Sequence, residues 1–259
     1  MAVVLEAKGL HKTFGAVTAA NDINVRIDQD SVVGLIGSNG AGKTTFINMV
    51  TGYLKPSSGS IRYLDRDITG MSPRRITQLG ICRSFQIPQL FGNLSVVENL
   101  QVGVGIAARS SRASSAARTQ EREEIETLIE RFNLGGYREH TAGLLPEGVR
   151  KLLDIAMAVA GRPQVLLLDE PTSGVSADEK FRLMDMVMTA LKTQGVTVLF
   201  VEHDMEIVSR YTHRILAFYE GRIIADGDPA SVLRDAEVRR YVIGEHGHTD
   251  GEAGAKNHD

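Results

Sequence analysis

Cysteine occurs only once, at Cys82, so no internal disulfide can form. A lone cysteine fits a reducing compartment and reads as a buried small hydrophobe rather than a reactive thiol. An excess of either charge is also missing: 29 Lys and Arg against 32 Asp and Glu leave a net −3 at pH 7. A nucleic-acid footprint needs a strongly basic face, so no nucleic-acid partner is expected. No stretch approaches the roughly 18 apolar residues of a membrane helix. The longest apolar runs, such as Val165 to Leu168, have the length of buried strands. Met1 to Lys8 show no charged stretch followed by a long apolar region, so no signal peptide is read there. Any membrane role would therefore need a partner.

What is present is an ordinary globular composition, 42% hydrophobic and 24% charged over 259 residues. That supports a sizeable core and suits one domain with a lobe inserted in it. Val3 to Lys8 and Asn21 to Asp28 read as strands, with Ile23, Val25 and Ile27 alternating with polar residues. Ser31 to Ile36 is an apolar strand that enters a Gly-rich turn, and a helix is expected from Gly42 to about Val50. Pro56, Ser57, Ser58 and Gly59 turn the chain into a strand over Ser60 to Tyr63.

From about Ile87 the pattern becomes helical. Val96 to Gly103 is a short candidate, and Ala107 to Ala117 reads as an exposed loop or frayed helix start. Ile125, Leu128, Ile129 and Phe132 share one helix face, as do Leu152, Ile155, Ala156 and Val159. Strand character returns at Val165 to Asp169 and again at Val196 to Val201. Between them Ala177 to Gln194 is a helix with Phe181, Met184, Met188 and Leu191 on one face, the methionines as core filler. Glu220 and Gly221 join a hairpin. From about His246 the chain is polar and Gly-rich, and a disordered tail is expected.

The strongest chemical signal is Gly37, Ser38, Asn39, Gly40, Ala41, Gly42, Lys43 and Thr44, followed by Thr45. The spacing is that of a P-loop, set between a buried strand and a helix as the motif requires. Glycines let successive backbone N–H groups turn inward around phosphate oxygens, and the helix N-terminus adds a positive dipole. Lys43 is placed to reach the β- and γ-phosphates, and the Thr44 hydroxyl to ligate Mg²⁺. Val165 to Glu170 supplies the other half of the site. Asp169 ends an apolar strand where a Mg²⁺-holding carboxylate belongs, and Glu170 follows as candidate general base for water. By itself a strand ending in Asp-Glu is often only a solvated strand end. The P-loop in the same chain changes its meaning.

In this order the motifs resemble the ABC ATPase family, and the resemblance covers the chain to about Glu245. It implies an α/β P-loop core with an antiparallel β subdomain and an inserted helical subdomain. The catalytic core would be residues 1–86 and 162–245, and the helical part residues 87–161. It further implies that Phe14 stacks on adenine. Gln86, in Arg83-Ser-Phe-Gln-Ile87, would contact Mg²⁺ and the attacking water. His203, in Val201-Glu-His-Asp-Met205, would contact the γ-phosphate, and Ser173 to Ala177 would be the D-loop. The implied cofactors are ATP and Mg²⁺, the metal held by Thr44, Gln86 and Asp169.

The signature loop departs from the family. Where Leu-Ser-Gly-Gly-Gln is usual, this chain has Leu145, Pro146, Glu147, Gly148 and Val149, with a helix expected from Arg150. Pro146 lacks the hydroxyl and the N–H that the family's serine offers the opposite subunit's γ-phosphate, and Glu147 is expected to turn outward. The Glu202-His-Asp-Met205 stretch, Glu220 to Pro229 and Arg239 to Glu245 look like ATP-binding subunits of branched-chain amino-acid and urea uptake systems. The resemblance implies transmembrane permease subunits, a second cassette identical or sibling, and indirectly a solute-binding protein. It implies a peripheral place on the cytoplasmic face of the membrane. The alternative is a soluble or regulatory ABC ATPase not coupled to transport.

Overall fold

The computed structural model describes residues 2–107, 115–192 and 194–244. Two sheets are stacked. β1 (Val3–Phe14), β2 (Val17–Asp28), β4 (Ser58–Tyr63) and β5 (Arg66–Asp67) form an antiparallel sheet in the order β2-β1-β4-β5. β3 (Val32–Gly37), β6 (Ile81–Ser84), β7 (Val165–Asp169), β8 (Thr197–Val201), β9 (Arg214–Tyr219) and β10 (Arg222–Gly227) form the second, in the order β10-β9-β3-β8-β7-β6. All neighbours in it run parallel except the terminal β9–β10 hairpin.

The larger sheet is covered on both faces, so its central strands read as continuous apolar runs rather than alternating ones. β3, β7 and β8 are buried at every residue. Val33 and Leu35 face the antiparallel sheet and α1 (Lys43–Val50), where Phe46 lies 5.8 Å from Phe218 between ring centroids. Val32 and Ile36 face the other way, into an apolar cluster that continues through the helices. In that layer α3 (Val96–Ala107), α4 (Ser115–Arg131) and α5 (Glu147–Ala160) pack on one another, and α6 (Ala177–Lys192) packs on α4 and α5.

Several boundaries differ from expectation. β1 and β2 extend to Phe14 and back to Val17 because they pair along their whole length through register shifts near Gly9 and Lys12. Such irregularities break the alternation that marks a strand in sequence. α5 begins at Glu147, not Arg150, because Pro146 enters as its N-cap with φ −55° and the chain winds at once. α6 buries Leu183, Met184, Val187, Ala190 and Leu191, while Phe181 and Met188 are only half-buried at its margin. Elements not expected from the sequence include α2 (Pro73–Leu79), β6 and α7 (Met205–Tyr211). Ser115 to Ala117 belong to α4. The rest of the expected loop, residues 108–114, and the expected tail from His246 lie outside the described residues.

Candidate functional site

Parallel strands bring their carboxyl ends to one edge of a sheet, and ligands bind there. β3 delivers the Gly-rich loop to that edge, β7 delivers Asp169 and Glu170, β8 delivers His203, and the segment after β6 delivers Gln86. Leu35 pairs with Val201, and Asp169 with Val201 on the other side, so the ends are level. Sequence neighbours have little to do with this; the pairing of β8 between β3 and β7 sets it.

The loop itself is shaped by close backbone approach. Gly37 (φ 152°) and Gly42 (φ 106°) are positions where a Cβ would stand 2.5 Å from the Phe218 carbonyl and 2.8 Å from the Ala19 carbonyl. The β9–β10 turn and β2 therefore press on the loop from behind. Gly221 N–H donates to the Ala41 carbonyl at 2.9 Å, and Asn21 N–H to the Gly221 carbonyl at 2.8 Å. Ser38, Asn39 and Gly40 remain exposed at the tip, as does Thr44; Thr45 is half-buried. Lys43 is 5% exposed, and its Nζ donates to the carbonyls of Gly37 (2.6 Å) and Ser38 (3.1 Å). Burial pushes its pKa below the usual lysine value, against the pull of Glu170 and Asp169. An anion beside Lys43 would relieve that burial penalty.

Gln86, Glu170 and His203 meet. Gln86 Nε2 donates to Glu170 Oε2 at 2.6 Å, and His203 Nε2 lies 2.9 Å from Glu170 Oε1. Glu170 holds a left-handed backbone, φ 48°, which for a non-glycine residue costs roughly 1–3 kcal/mol and persists only where the surroundings impose it. Its N–H donates to the Val201 carbonyl at 3.0 Å. Glu202 is 4% exposed and binds the turn after β7, accepting from the Thr172 N–H (2.9 Å) and hydroxyl (2.6 Å). Asp204 N-caps α7 through the amides of Glu206 and Ile207 and pairs with Lys180. Burial would raise the Asp204 carboxyl, but the Lys180 bond and those amides outweigh it and hold it low.

Asp169 is 8% exposed. Its Oδ2 accepts from Arg83 Nη2 at 2.5 Å, and Arg83 Nη1 donates to Asn48 Oδ1 at 2.6 Å. The guanidinium lies 4.9 Å from the Phe85 ring. The donor set around the site consists of one carboxylate, a threonine hydroxyl and a glutamine amide. Hard oxygens of this kind suit Mg²⁺, which takes one or two carboxylates plus substrate phosphates. The residues therefore fit that ion.

Two other expected groups stand apart from this cluster. Phe14 sits at the β1–β2 turn, 51% exposed, with Lys12 Nζ 5.1 Å from its ring centroid. An aromatic ring left this open is available for stacking. Leu145 is buried, and Pro146, Glu147 and Gly148 open α5. The N–H groups of Glu147, Gly148 and Val149, in the first turn, have no acceptor within the helix. Glu147 reaches along the helix to Arg150 at 3.4 Å, and its Cγ lies near Gly174.

Among the buried polar side chains that escaped the sequence reading, Arg83, Lys151 and Asp154 border the site. Lys151 Nζ donates to the carbonyls of Gln86 and Glu170, both at 3.1 Å, and to Ser173 Oγ at 3.0 Å. Asp154 accepts from the N–H groups of Phe85 (3.1 Å) and Gln89 (2.9 Å). Their contacts lie 65 or more residues away in sequence except for Arg83 to Asn48 and Lys151 to Glu170 and Ser173. For Lys151 and Asp154 the one hint was a charged residue at a helix position otherwise apolar; for Arg83 it was a charge within the short strand β6. Next to this segment, a groove of about 860 Å³ is lined by Tyr53, Arg74, Arg83, Phe85, Gln89 and Ile106, among others. Ile87 and Phe91 stand exposed nearby in sequence.

Comparison with known proteins gives consistent results. The family model described as ABC transporter matches residues 20–173. The chain is 34% identical over 250 residues to the high-affinity branched-chain amino acid transport ATP-binding protein BraF of Pseudomonas aeruginosa, covering 93% of this chain and 98% of that one. It is 34% identical over 246 residues to the probable branched-chain amino acid transport ATP-binding protein LivG of Archaeoglobus fulgidus, covering 93% and 95%. Among solved structures, the ADP conformation of MJ1267, an ATP-binding cassette of an ABC transporter, superposes with a TM-score of 0.81 at 30% identity, covering 95% of this chain and all of that one.

Proposed function

The chain belongs to the ABC transporter family, and from that premise we propose that it is the Mg²⁺-dependent ATPase subunit of an importer for an amino-acid-like or urea-like solute. The observation that carries this reading is the meeting of Gln86, Glu170 and His203 at the sheet edge that also bears the phosphate loop. Phe14 stacks on the adenine. The loop amides and Lys43 receive the phosphates, and the α1 dipole adds to their attraction. Thr44, Gln86 and Asp169 supply the oxygens for Mg²⁺, which when bound screens the charge on the β- and γ-phosphates.

Glu170 takes a proton from the attacking water, a contribution of about 10²–10⁴-fold. Gln86 and His203 hold its two carboxylate oxygens, so the base is oriented before substrate arrives. His203 then lies beside the γ-phosphate. One phosphate loop leaves that phosphate open on one side. A second cassette, identical or sibling, closes it with its own signature loop, and ATP thereby favours the paired state. Residues 1–86 and 162–245 act as the catalytic core and 87–161 as the helical part. Support comes from α3 and α4 packing chiefly on each other and on α5, which itself also packs on β6, β7 and α6.

Among the described residues no helix is long and apolar enough to cross a membrane. Transmembrane permease subunits provide the pathway, and the groove beside Gln89, with the adjoining segment around Leu90 to Leu94, receives them. The cassette then works on the cytoplasmic face of the membrane, with a solute-binding protein coupled only through the permease. Recovery of the tagged chain from detergent-solubilised membranes, with partner identification and phosphate release assayed on the complex, tests the reading. Permease co-purification and ATP hydrolysis abolished by Glu170→Gln are expected. Nucleic-acid association without permease, or nucleotide binding with no phosphate release in the complex, would overturn it.

A further inference from the structure

Lys151 lies on α5, one turn beyond the signature loop, and is 3% exposed. An ammonium has three donors, and all three are used: on the Gln86 carbonyl, the Glu170 carbonyl and Ser173 Oγ. Each acceptor comes from a different segment at the phosphate edge: the stretch after β6, the end of β7, and the turn that follows it. Three residues along the same helix, Asp154 accepts from the N–H groups of Phe85 and Gln89. The backbone on both sides of Gln86 is thus tied to one helix.

The Glu170 backbone is where this matters. Its left-handed conformation is one that an L-residue keeps only under constraint. The peptide before Glu170 is held by its N–H on the Val201 carbonyl, and the peptide after it by its carbonyl, which accepts from both Lys151 Nζ and the Ser173 N–H at 3.1 Å. With both planes fixed, the side chain is aimed at Gln86 and His203.

We propose that Lys151 is a positioning residue for hydrolysis: by holding the carbonyls of Gln86 and Glu170 together it sets the Glu170 carboxylate against the Gln86 amide. It does not touch substrate. Its burial lowers its pKa, while Glu147, Glu202, Asp154 and Glu170 pull the other way. Its hydrogen bonds go to two carbonyls and a hydroxyl rather than to a carboxylate, so what they fix is backbone geometry. A neutral residue of similar length would fill the volume, take the ammonium from the Gln86 carbonyl and leave the Glu170 carbonyl to the Ser173 N–H at 3.1 Å.

This inference rests on Glu170 being the general base, and the test separates the two. Lys151→Met, Glu170→Gln and the double variant are made in the full chain, and Mg-ATP turnover and nucleotide affinity are measured for each. Lys151→Met should lower kcat by about 10- to 100-fold, the range typical of residues that orient a reacting group. Nucleotide affinity should stay within about twofold, since Lys43 and the loop amides are untouched. In the Glu170→Gln background the same substitution should cost almost nothing further, because its effect runs through that carboxylate. Lys151→Gln, which keeps a shorter donor, is read in the same way if Lys151→Met does not fold. An equal loss in both backgrounds, a parallel loss of binding and turnover in both variants, or wild-type turnover in Lys151→Met would each overturn the assignment. Wild-type turnover in Glu170→Gln alone would instead remove the premise.

Discussion

Arg83 Nη2 donates to Asp169 Oδ2 at 2.5 Å, with both side chains about nine-tenths buried. The pair joins β6 to β7 at the edge of the nucleotide site. Breaking such a pair from one side strands a buried charge, at a cost of about 3–5 kcal/mol. Arg83→Met should therefore lower the free energy of unfolding in urea by that amount. Arg83→Met/Asp169→Asn should recover more than half of the loss, because the stranded charge is then gone. Additive losses in this cycle would show that the two side chains are not energetically coupled.

In the proposed mechanism Lys43 and Glu170 act at different stages, so their substitutions should separate. Lys43→Ala removes the cation that meets phosphate in the ground state, and most ATP affinity should be lost. Glu170→Gln keeps the shape and the contact to Gln86 and should bind ATP normally while turnover falls about 10²–10⁴-fold. Equilibrium binding of a fluorescent nucleotide alongside single-turnover phosphate release distinguishes the two. Equal effects of the two variants on affinity would contradict the division of labour.

In the proposed pairing of cassettes Pro146 offers no hydroxyl to the second γ-phosphate, and the helix-start amides around Gly148 are left to meet it. A hydrogen bond to a charged group contributes about 1.5–3 kcal/mol. Pro146→Ser with Glu147→Gly should raise basal ATP hydrolysis by at least about tenfold and reduce its dependence on membrane partners. Steady-state turnover with and without the permease measures this. An unchanged basal rate would mean that this loop does not limit turnover.

Cys82 lies 5% exposed on β6, and burial pushes its thiol up to about 11. Its ordinary value is 9.0. The folded state thus favours the neutral thiol. That contribution is fully present below about pH 9 and is lost as pH rises toward 11. Between those limits wild type should lose stability more steeply than Cys82→Ala in unfolding titrations. Parallel curves would show that the thiol does not titrate differently on folding. At pH 8 the thiol should react with iodoacetamide only after unfolding.

The phosphate loop and the Asp169-Glu170 strand end could be read in the sequence because each is a local pattern whose neighbours in space are neighbours in the chain. The α/β class could be read for the same reason, from apolar runs of strand length and helical faces such as Ile125 to Phe132. Arg83, Lys151 and Asp154 could not. Arg83 finds Asp169 86 residues away, and Lys151 finds Gln86 65 residues away. β6 was equally silent, since four residues show no period; its identity comes from lying beside β7. The start of α5 was expected at Arg150, yet the helix winds from Glu147 directly after the Pro146 cap.

The strand order has a consequence for how the chain comes off the ribosome. β3 carries the phosphate loop but is paired only with β8 and β9. Neither exists until the chain has been translated past Thr197. Until then six fully buried-type residues, Val32 to Gly37, have no ladder to join, and two unpaired edges of an apolar strand are open to other chains. The first motif that translation produces is thus among the last to become structure, and the nascent chain needs cover over β3 for most of its synthesis.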